Sequence, residues 1–300
     1  MQNKKNLQSF RILVAIPLLL ATLFVSLFPA VTALADDQKN GYQADIVYLE
    51  NMDTGEIVVD KNSQKVTPMA SLTKITTAMV VLNNCTNLDR SVTVTQDELN
   101  EITDPESCSA GIKAGEVLTI RQLMNILLVK SANECAVILA HEISGSTQAF
   151  VSKMNEYARS VGCTNTHYAN PHGLTASGHY TTARDLAKLC RAALKNSTFR
   201  SMVAQPSYTL APTNLRAEPT EFHNGNKLLR TDTPYYYEGC KGIKTGYTES
   251  AGRCLASYVT RNGRTFLCIV IGGKDSCKAD NKYNIPFEDS IKAYNYAFSR

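Results

Sequence analysis

Apolar and polar positions follow two different periods along this chain, and the change of period divides it into three stretches. Near the N-terminus, residues 45–49 (Asp-Ile-Val-Tyr-Leu) and 56–59 (Glu-Ile-Val-Val) flank an Asp53-Thr54-Gly55 turn, which predicts a β-hairpin over 44–60. An apolar-rich run at 71–82, preceded by Pro68, predicts a buried helix. From about 91 to 201 the period is mainly helical. Thr119 with Gln122 is a capping box opening a helix over 120–130. Residues 133–144 form a second helix that stops at Gly145, Thr147 caps a third ending near Gly162, and Thr182 with Asp185 opens a fourth to 195. Strand patterns return at 253–260 and 264–271 around Asn262-Gly263, a two-residue hairpin signal. Pro286 precedes a last helix to Phe298.

Strands at both ends with helices between them predict an α+β fold. Its economical form is one antiparallel β-sheet built from the N- and C-terminal segments and flanked by helices, with an inserted all-helical lobe over about 91–201. A site is expected in the cleft between lobe and sheet.

Composition narrows the class. With 300 residues, 44% of them hydrophobic and 19% charged, the chain can bury a sizeable core, and wholesale disorder is excluded. Its 31 Lys and Arg outnumber 27 Asp and Glu, but Lys4, Lys5 and Arg11 lie within residues 1–35, which hold no acid. Without those three the balance is 28 to 27, so nucleic-acid binding has no electrostatic footprint. The same three charges precede an uncharged stretch at 12–35 that ends in Ala33-Leu34-Ala35, just before Asp36-Asp37. That pattern reads as a signal peptide over 1–35, leaving 36–300 to work outside the cytoplasm, secreted or in the cell envelope. The competing reading is an uncleaved anchor, since 12–28 could almost span a bilayer; membrane attachment follows only in that case.

Export permits disulfides, yet nine cysteines is an odd number. A two-residue turn at Asn262-Gly263 sets Arg261 opposite Arg264 and Ser257 opposite Cys268, with Cys254 on the other face. That register argues against a Cys254–Cys268 bridge and leaves the connectivity open. No metal is expected either: the five histidines are scattered, and Gly145 stands where a zinc-protease helix starting at His141-Glu142 needs its second histidine.

Three short motifs carry the candidate chemistry. In Ser71-Leu72-Thr73-Lys74 the serine and lysine fall on one helix face, a nucleophile one turn from a possible base. The ordinary alternative is a serine N-cap with a snorkelling lysine. Ser131-Ala132-Asn133, at a junction between two apolar helices, offers a hydroxyl and an amide to a cleft, or else ordinary capping. Lys244-Thr245-Gly246, in a probable strand, supplies a cation and a hydroxyl for a carboxylate, with a glycine for close approach; the alternative is a strand-end turn with a solvated lysine. Their order matches the Ser-x-x-Lys, Ser-Asp-Asn, Lys-Thr-Gly signature of β-lactamases and penicillin-binding proteins, with Ala132 in place of aspartate.

The chain resembles the low-molecular-mass penicillin-binding proteins that are serine-type D-Ala-D-Ala carboxypeptidases, peptidase family S11. Beyond the motifs, the similarity runs through Thr54-Gly55-Glu56, Pro68-Met69-Ala70, Asn170-Pro171-His172-Gly173-Leu174, Thr181-Thr182-Ala183-Arg184-Asp185-Leu186 and Gly242-Ile243-Lys244-Thr245-Gly246-Tyr247-Thr248. It covers about residue 44 to the C-terminus. The resemblance implies a β-lactamase/transpeptidase-like fold, with 36–300 as the penicillin-binding DD-peptidase domain and no C-terminal β-domain. It implies removal of the terminal D-alanine from peptidoglycan stem pentapeptides through an acyl-enzyme, acylation by β-lactams, and no cofactor. By the same resemblance Ser71 is the nucleophile, Lys74 its base and Ser131 a proton relay. Asn133 then holds the substrate amide, Lys244 and Thr245 bind its carboxylate beside Gly246, and the backbone N–H groups of Ser71 and Tyr247 form the oxyanion hole. His172 is expected to serve loop structure, Cys135 to be a buried packing residue, and Tyr235, Tyr236 and Tyr237 to pack.

One departure stands out. Relatives are expected to carry an arginine after the last strand pair, whereas between Thr265 and Ser299 this chain has only Lys274, Lys278, Lys282 and Lys292. A lysine supplies a point charge but no bidentate fork. Two rivals remain. A class A-like β-lactamase needs a Glu-x-x-Leu-Asn loop, for which the only lookalike is Glu221-Phe222-His223-Asn224. A non-catalytic wall-peptide-binding protein would not need the intact nucleophile, base and relay. The balance of carboxypeptidase, endopeptidase and transpeptidase action depends on cleft shape.

Overall fold

The strand Arg264–Gly273 joins the two ends of the chain into one sheet. Numbered in chain order, this five-stranded antiparallel sheet runs Ile57–Lys61 (β2), Ile46–Asn51 (β1), Arg264–Gly273 (β9), Gly252–Arg261 (β8) and Cys240–Thr248 (β7). The computed structural model describes residues 41–104, 107–273 and 284–300, so the signal-peptide reading and Lys274, Lys278 and Lys282 lie outside the described residues.

Alternation along the central strands explains why both faces are covered. Ile46 and Tyr48 of β1 and Ile269 and Ile271 of β9 enter the large core shared with the helices of the lobe side. Val47, Leu49, Cys268 and Val270 enter a second core under the C-terminal helix Ile285–Ser299, with Ala293, Tyr294 and Ala297. Each such aliphatic side chain, fully buried, contributes roughly 1.5–3 kcal/mol. The hairpin between β8 and β9 turns on Asn262 (φ 51°) and Gly263 (φ 72°), the left-handed pair that a two-residue turn requires. Its register sets Arg261 opposite Arg264 and Ser257 opposite Cys268. Cys254 lies in the large core and Cys268 in the other, and the eight described cysteines are all free thiols.

The remaining helices are Thr73–Asn84 (α1), Gln96–Asn100 (α2), Ile120–Val129 (α3), Asn133–Ser144 (α4), Thr147–Ser160 (α5), Ala183–Ala193 (α6) and Ser197–Val203 (α7), which makes Ile285–Ser299 α8. The capping box at α3 is present: Thr119 N–H donates to Gln122 Oε1 (2.7 Å) and Gln122 N–H to Thr119 Oγ1 (3.1 Å). Helix α4 stops at Gly145, whose φ is 76°. The cap of α5 is Ser146 rather than Thr147, because Ser146 keeps extended backbone and its hydroxyl accepts from Ala149 N–H. Two small sheets were not anticipated. Ser91–Thr93 (β3) pairs with Val117–Thr119 (β4) inside the lobe, and Ser207–Leu210 (β5) with Thr220–His223 (β6) beyond it. Three or four residues are too few for a period-2 pattern to declare itself.

Candidate active site

An open cleft of about 1060 Å³ separates the lobe from the β7 edge of the sheet, and Ser71, Ser131, Asn133, Thr245, Gly246 and Tyr247 all line it. Strand β7 pairs with β8 alone in the sheet, so its outer edge borders this space.

Ser71 sits in a 3-10 turn, Ala70–Leu72, and helix α1 begins only at Thr73. The turn is forced by its surroundings. Ala70 has φ +47°, uncommon for a residue with a Cβ, and Thr73 Oγ1 donates to Ala70 O (2.8 Å). Gly173, at φ +95°, packs so close behind it that a Cβ there would fall 2.1 Å from Ala70 O. On the opposite side a Cβ on Gly246 would fall 2.9 Å from Ser71 N. Glycine at both positions lets backbone press on the serine turn. The capping alternative for Ser71 fails here, because the N-cap of α1 is Leu72 and no side chain caps it.

Lys74 does not snorkel; it is 0% exposed. Its Nζ lies 2.8 Å from Ser71 Oγ, 2.6 Å from Asn133 Oδ1 and 2.7 Å from His172 O. Two of those partners are carbonyl oxygens, which can only accept. A neutral amine has two hydrogens and one lone pair, so donation to Asn133 and His172 leaves the lone pair for the Ser71 hydroxyl. Burial pushes the Lys74 amine well below the ordinary lysine range, and the nearby charge of Lys244 pushes it further. Lys244 is 1% exposed, and burial lowers it to about 8. Its Nζ donates to Thr245 O (3.0 Å). The solvated-lysine alternative therefore fails for Lys244 as well.

Ser131 and Asn133 arrive from the α3–α4 junction. Ser131 has φ +71° and its N–H turns back to Ile126 O (3.1 Å), ending α3 with the side chain at the cleft. Asn133 opens α4, where its N–H is satisfied by Cys108 O (2.8 Å). Glu134, also in that first turn, accepts from Ser109 Oγ and Ala110 N–H (both 2.7 Å) and ties the 108–110 loop to the site.

All eight expected residues thus meet in one place, with Lys74 and Lys244 buried beneath the lining. The structure adds a contact for Asn133, whose Oδ1 accepts from Lys74 Nζ. It also adds residues that sequence reasoning did not assign to the site. His172 gives its carbonyl to Lys74; its ring, whose Nδ1 accepts from Leu174 N–H, is lowered to about 3 by burial, Lys74 and His179. Cys108, Lys227 and Arg253 line the cleft from segments with no motif. Only His172 had a visible signal, the Asn170-Pro171-His172-Gly173-Leu174 stretch. Cys135 is wholly buried, as expected. Tyr235 packs on Phe287 and Tyr237 on Tyr294, while Tyr236 is 47% exposed.

Comparison with known proteins places this geometry. The family model described as D-alanyl-D-alanine carboxypeptidase matches residues 33–275. A D-alanyl-D-alanine carboxypeptidase of Bacillus subtilis is 29% identical over 267 residues, 85% of this chain and 64% of that protein. A D-alanyl-D-alanine carboxypeptidase of a Streptomyces species is 31% identical over 263 residues, 84% of this chain and 86% of that protein. The crystal structure of a Streptomyces DD-transpeptidase superposes with a TM-score of 0.77 at 31% identity, covering 87% of this chain and 99% of that one.

Proposed function

The chain belongs to the D-alanyl-D-alanine carboxypeptidase family, and from that premise we infer that its cleft removes the terminal D-alanine of peptidoglycan stem pentapeptides. The observation that carries this reading is the wholly buried Lys74 Nζ, 2.8 Å from Ser71 Oγ with its other two contacts on obligate acceptors. Ser71 Oγ attacks the carbonyl carbon between the two D-alanines as its proton passes to Lys74. The C–N bond then breaks, the leaving amine takes a proton by way of Ser131, and water hydrolyses the ester on Ser71. Thr245, with the charge of Lys244 behind it, holds the terminal carboxylate. The N–H groups of Ser71 and Tyr247 stabilise the tetrahedral oxyanion. β-Lactams acylate the same serine.

Residues 36–300 are the peptidase domain in this reading, acting outside the cytoplasm after export directed by residues 1–35. Among the described residues no helix is long and apolar enough to cross a membrane. The β-lactamase alternative has little to stand on, because Glu221 is exposed on β6 and is not among the residues lining the cleft. Product analysis of muropeptides incubated with the mature protein tests the reading. Conversion of pentapeptide to tetrapeptide with free D-alanine is expected. Nitrocefin turnover far faster than acylation of Ser71 would reassign the protein as a lactamase.

A further inference from the structure

A buried imidazole joins the serine turn to the loop that carries His172. His179 is 5% exposed and stands in the segment between α5 and α6, where the His167–Tyr180 and Thr67–Thr181 bridges fix the backbone next to it. The N–H of Ala169 donates to its Nδ1 (3.1 Å), and its Nε2 lies 2.8 Å from Thr73 Oγ1. Thr73 Oγ1 in turn donates to Ala70 O (2.8 Å). The direction of each bond is forced from both ends. A backbone N–H can only donate, so Nδ1 is the lone-pair nitrogen and the neutral ring carries its proton on Nε2. A backbone carbonyl can only accept, so the Thr73 hydroxyl gives its one proton to Ala70 and receives from His179. Burial lowers His179 to about 4, with His167 and Lys74 adding to it, so the ring is neutral near neutral pH.

The chain of bonds ends on the residue that precedes the nucleophile. Ala70 has φ +47°, and its carbonyl accepts from the Thr73 N–H as well as from the Thr73 hydroxyl. Backbone in that region persists only where its surroundings hold it. The other end of the chain reaches the base. Ala169 leads into the stretch whose Pro171 O accepts from Thr77 Oγ1 (2.5 Å) and whose His172 O accepts from Lys74 Nζ (2.7 Å). His179 itself is not among the residues that line the cleft, so it acts through others. We propose that His179 is a positioning residue for acylation: its Nε2–H turns the Thr73 hydroxyl onto Ala70 O and so holds Ser71 Oγ in line between Lys74 and the substrate carbonyl. This role rests on the carboxypeptidase reading and adds to it a residue outside the three motifs.

The test separates the two ring nitrogens. In His179→Asn the amide oxygen takes the place of Nδ1 and nothing reaches Thr73. In His179→Gln the amide nitrogen extends as far as Nε2 and can donate to the Thr73 hydroxyl. These variants, Thr73→Val and the double variant His179→Asn with Thr73→Val are compared with the full mature enzyme. The readouts are the first-order constant for acylation by a fluorescent penicillin, its noncovalent dissociation constant, and kcat and KM for D-alanine release from a stem pentapeptide. Loss of folded protein lowers the amount labelled but not the first-order constant. His179→Asn and Thr73→Val should each lower that constant by about tenfold or more, with the dissociation constant within a few-fold of wild type. The double variant should lose little beyond either, because both changes cut one link. His179→Gln should recover most of the loss. In the wild type, proton–nitrogen correlation of the histidine rings should show His179 protonated on Nε2 and bare on Nδ1. An acylation constant within a few-fold of wild type in His179→Asn, no recovery in His179→Gln, losses that add in the double variant, or a His179 protonated on Nδ1 overturns this inference and leaves the carboxypeptidase reading standing. A wild type that neither releases D-alanine nor takes up penicillin overturns both.

Discussion

Lys74 and Lys244 are 0% and 1% exposed, and the same burial destabilises the ammonium form of each. The consequence is asymmetric. Lys74 feels the charge of Lys244 on top of its own desolvation and is lowered well below the usual range, whereas Lys244 comes down only to about 8. Near neutral pH the pair therefore favours one neutral amine beside Ser71 and one cation at Lys244, which separates the proposed base from the proposed anchor by environment, although both are lysines.

That asymmetry predicts a bell-shaped pH profile of kcat/KM. As pH rises, Lys74 loses its proton early and activity appears well below the pH at which an ordinary lysine titrates. As pH rises through about 8, Lys244 loses the charge that holds the carboxylate and activity falls. In Lys244→Arg the cation persists, so the alkaline limb should move up or vanish while the acid limb stays. An alkaline limb unmoved in Lys244→Arg would assign it to another group.

Removing the base without adding bulk isolates its contribution. Lys74→Met should slow acylation of Ser71 by about 10²–10⁴-fold, the usual worth of positioned proton transfer. The rate of covalent labelling by a fluorescent penicillin is the readout, with a thermal melt to show that the variant folds. A rate within a few-fold of wild type would mean that another group takes the proton.

Much of this site is legible in the sequence, and the reason is local. Ser71 with Lys74, Ser131 with Asn133, and Lys244 with Thr245 are each separated by at most three residues, so one turn of helix or one strand end fixes the members of each pair. What was not legible depends on chain returning from far away. The carbonyl of His172 meets Lys74 across 98 residues. Arg253 enters the cleft through cross-strand register and contributes no motif of its own. Helix α1 starts two residues later than the apolar run predicts for a related reason: the 3-10 turn at Ser71 is pressed into shape by Gly173 and Gly246, which sequence periodicity does not see.

The two glycines give a direct check on that pressing. Gly173→Ala adds a Cβ 2.1 Å from Ala70 O at φ +95° and should cost about 2–5 kcal/mol of stability, read as the midpoint of urea unfolding. Gly246→Ala has ordinary backbone φ but intrudes 2.9 Å from Ser71 N. It should melt close to wild type while acylating at least about tenfold more slowly, because the serine turn must shift.

Acid should destabilise the fold before it touches most carboxylates. Burial holds His172 at about 3 and His179 at about 4, against an ordinary value of 6.5. Below pH 6.5 the unfolded imidazoles bind protons that the folded ones refuse, so stability is complete above 6.5 and falls as pH drops toward 4. His179 also contacts Thr73 Oγ1 at 2.8 Å, under the serine turn. The melting temperature should fall across that window, and His179→Gln should make the fall shallower by one proton's worth. A slope unchanged in His179→Gln would place the acid sensitivity elsewhere.

The central claim is that Ser71 forms the acyl-enzyme through which D-alanine is released. D-alanine appearance from a stem pentapeptide, followed together with intact mass of the protein, tests it for the wild type and for Ser71→Ala. Steady release by the wild type is expected, with a penicillin adduct that maps by proteolysis to Ser71, and neither release nor adduct in Ser71→Ala. Release that survives in Ser71→Ala, or peptide binding without release by the wild type, would contradict it.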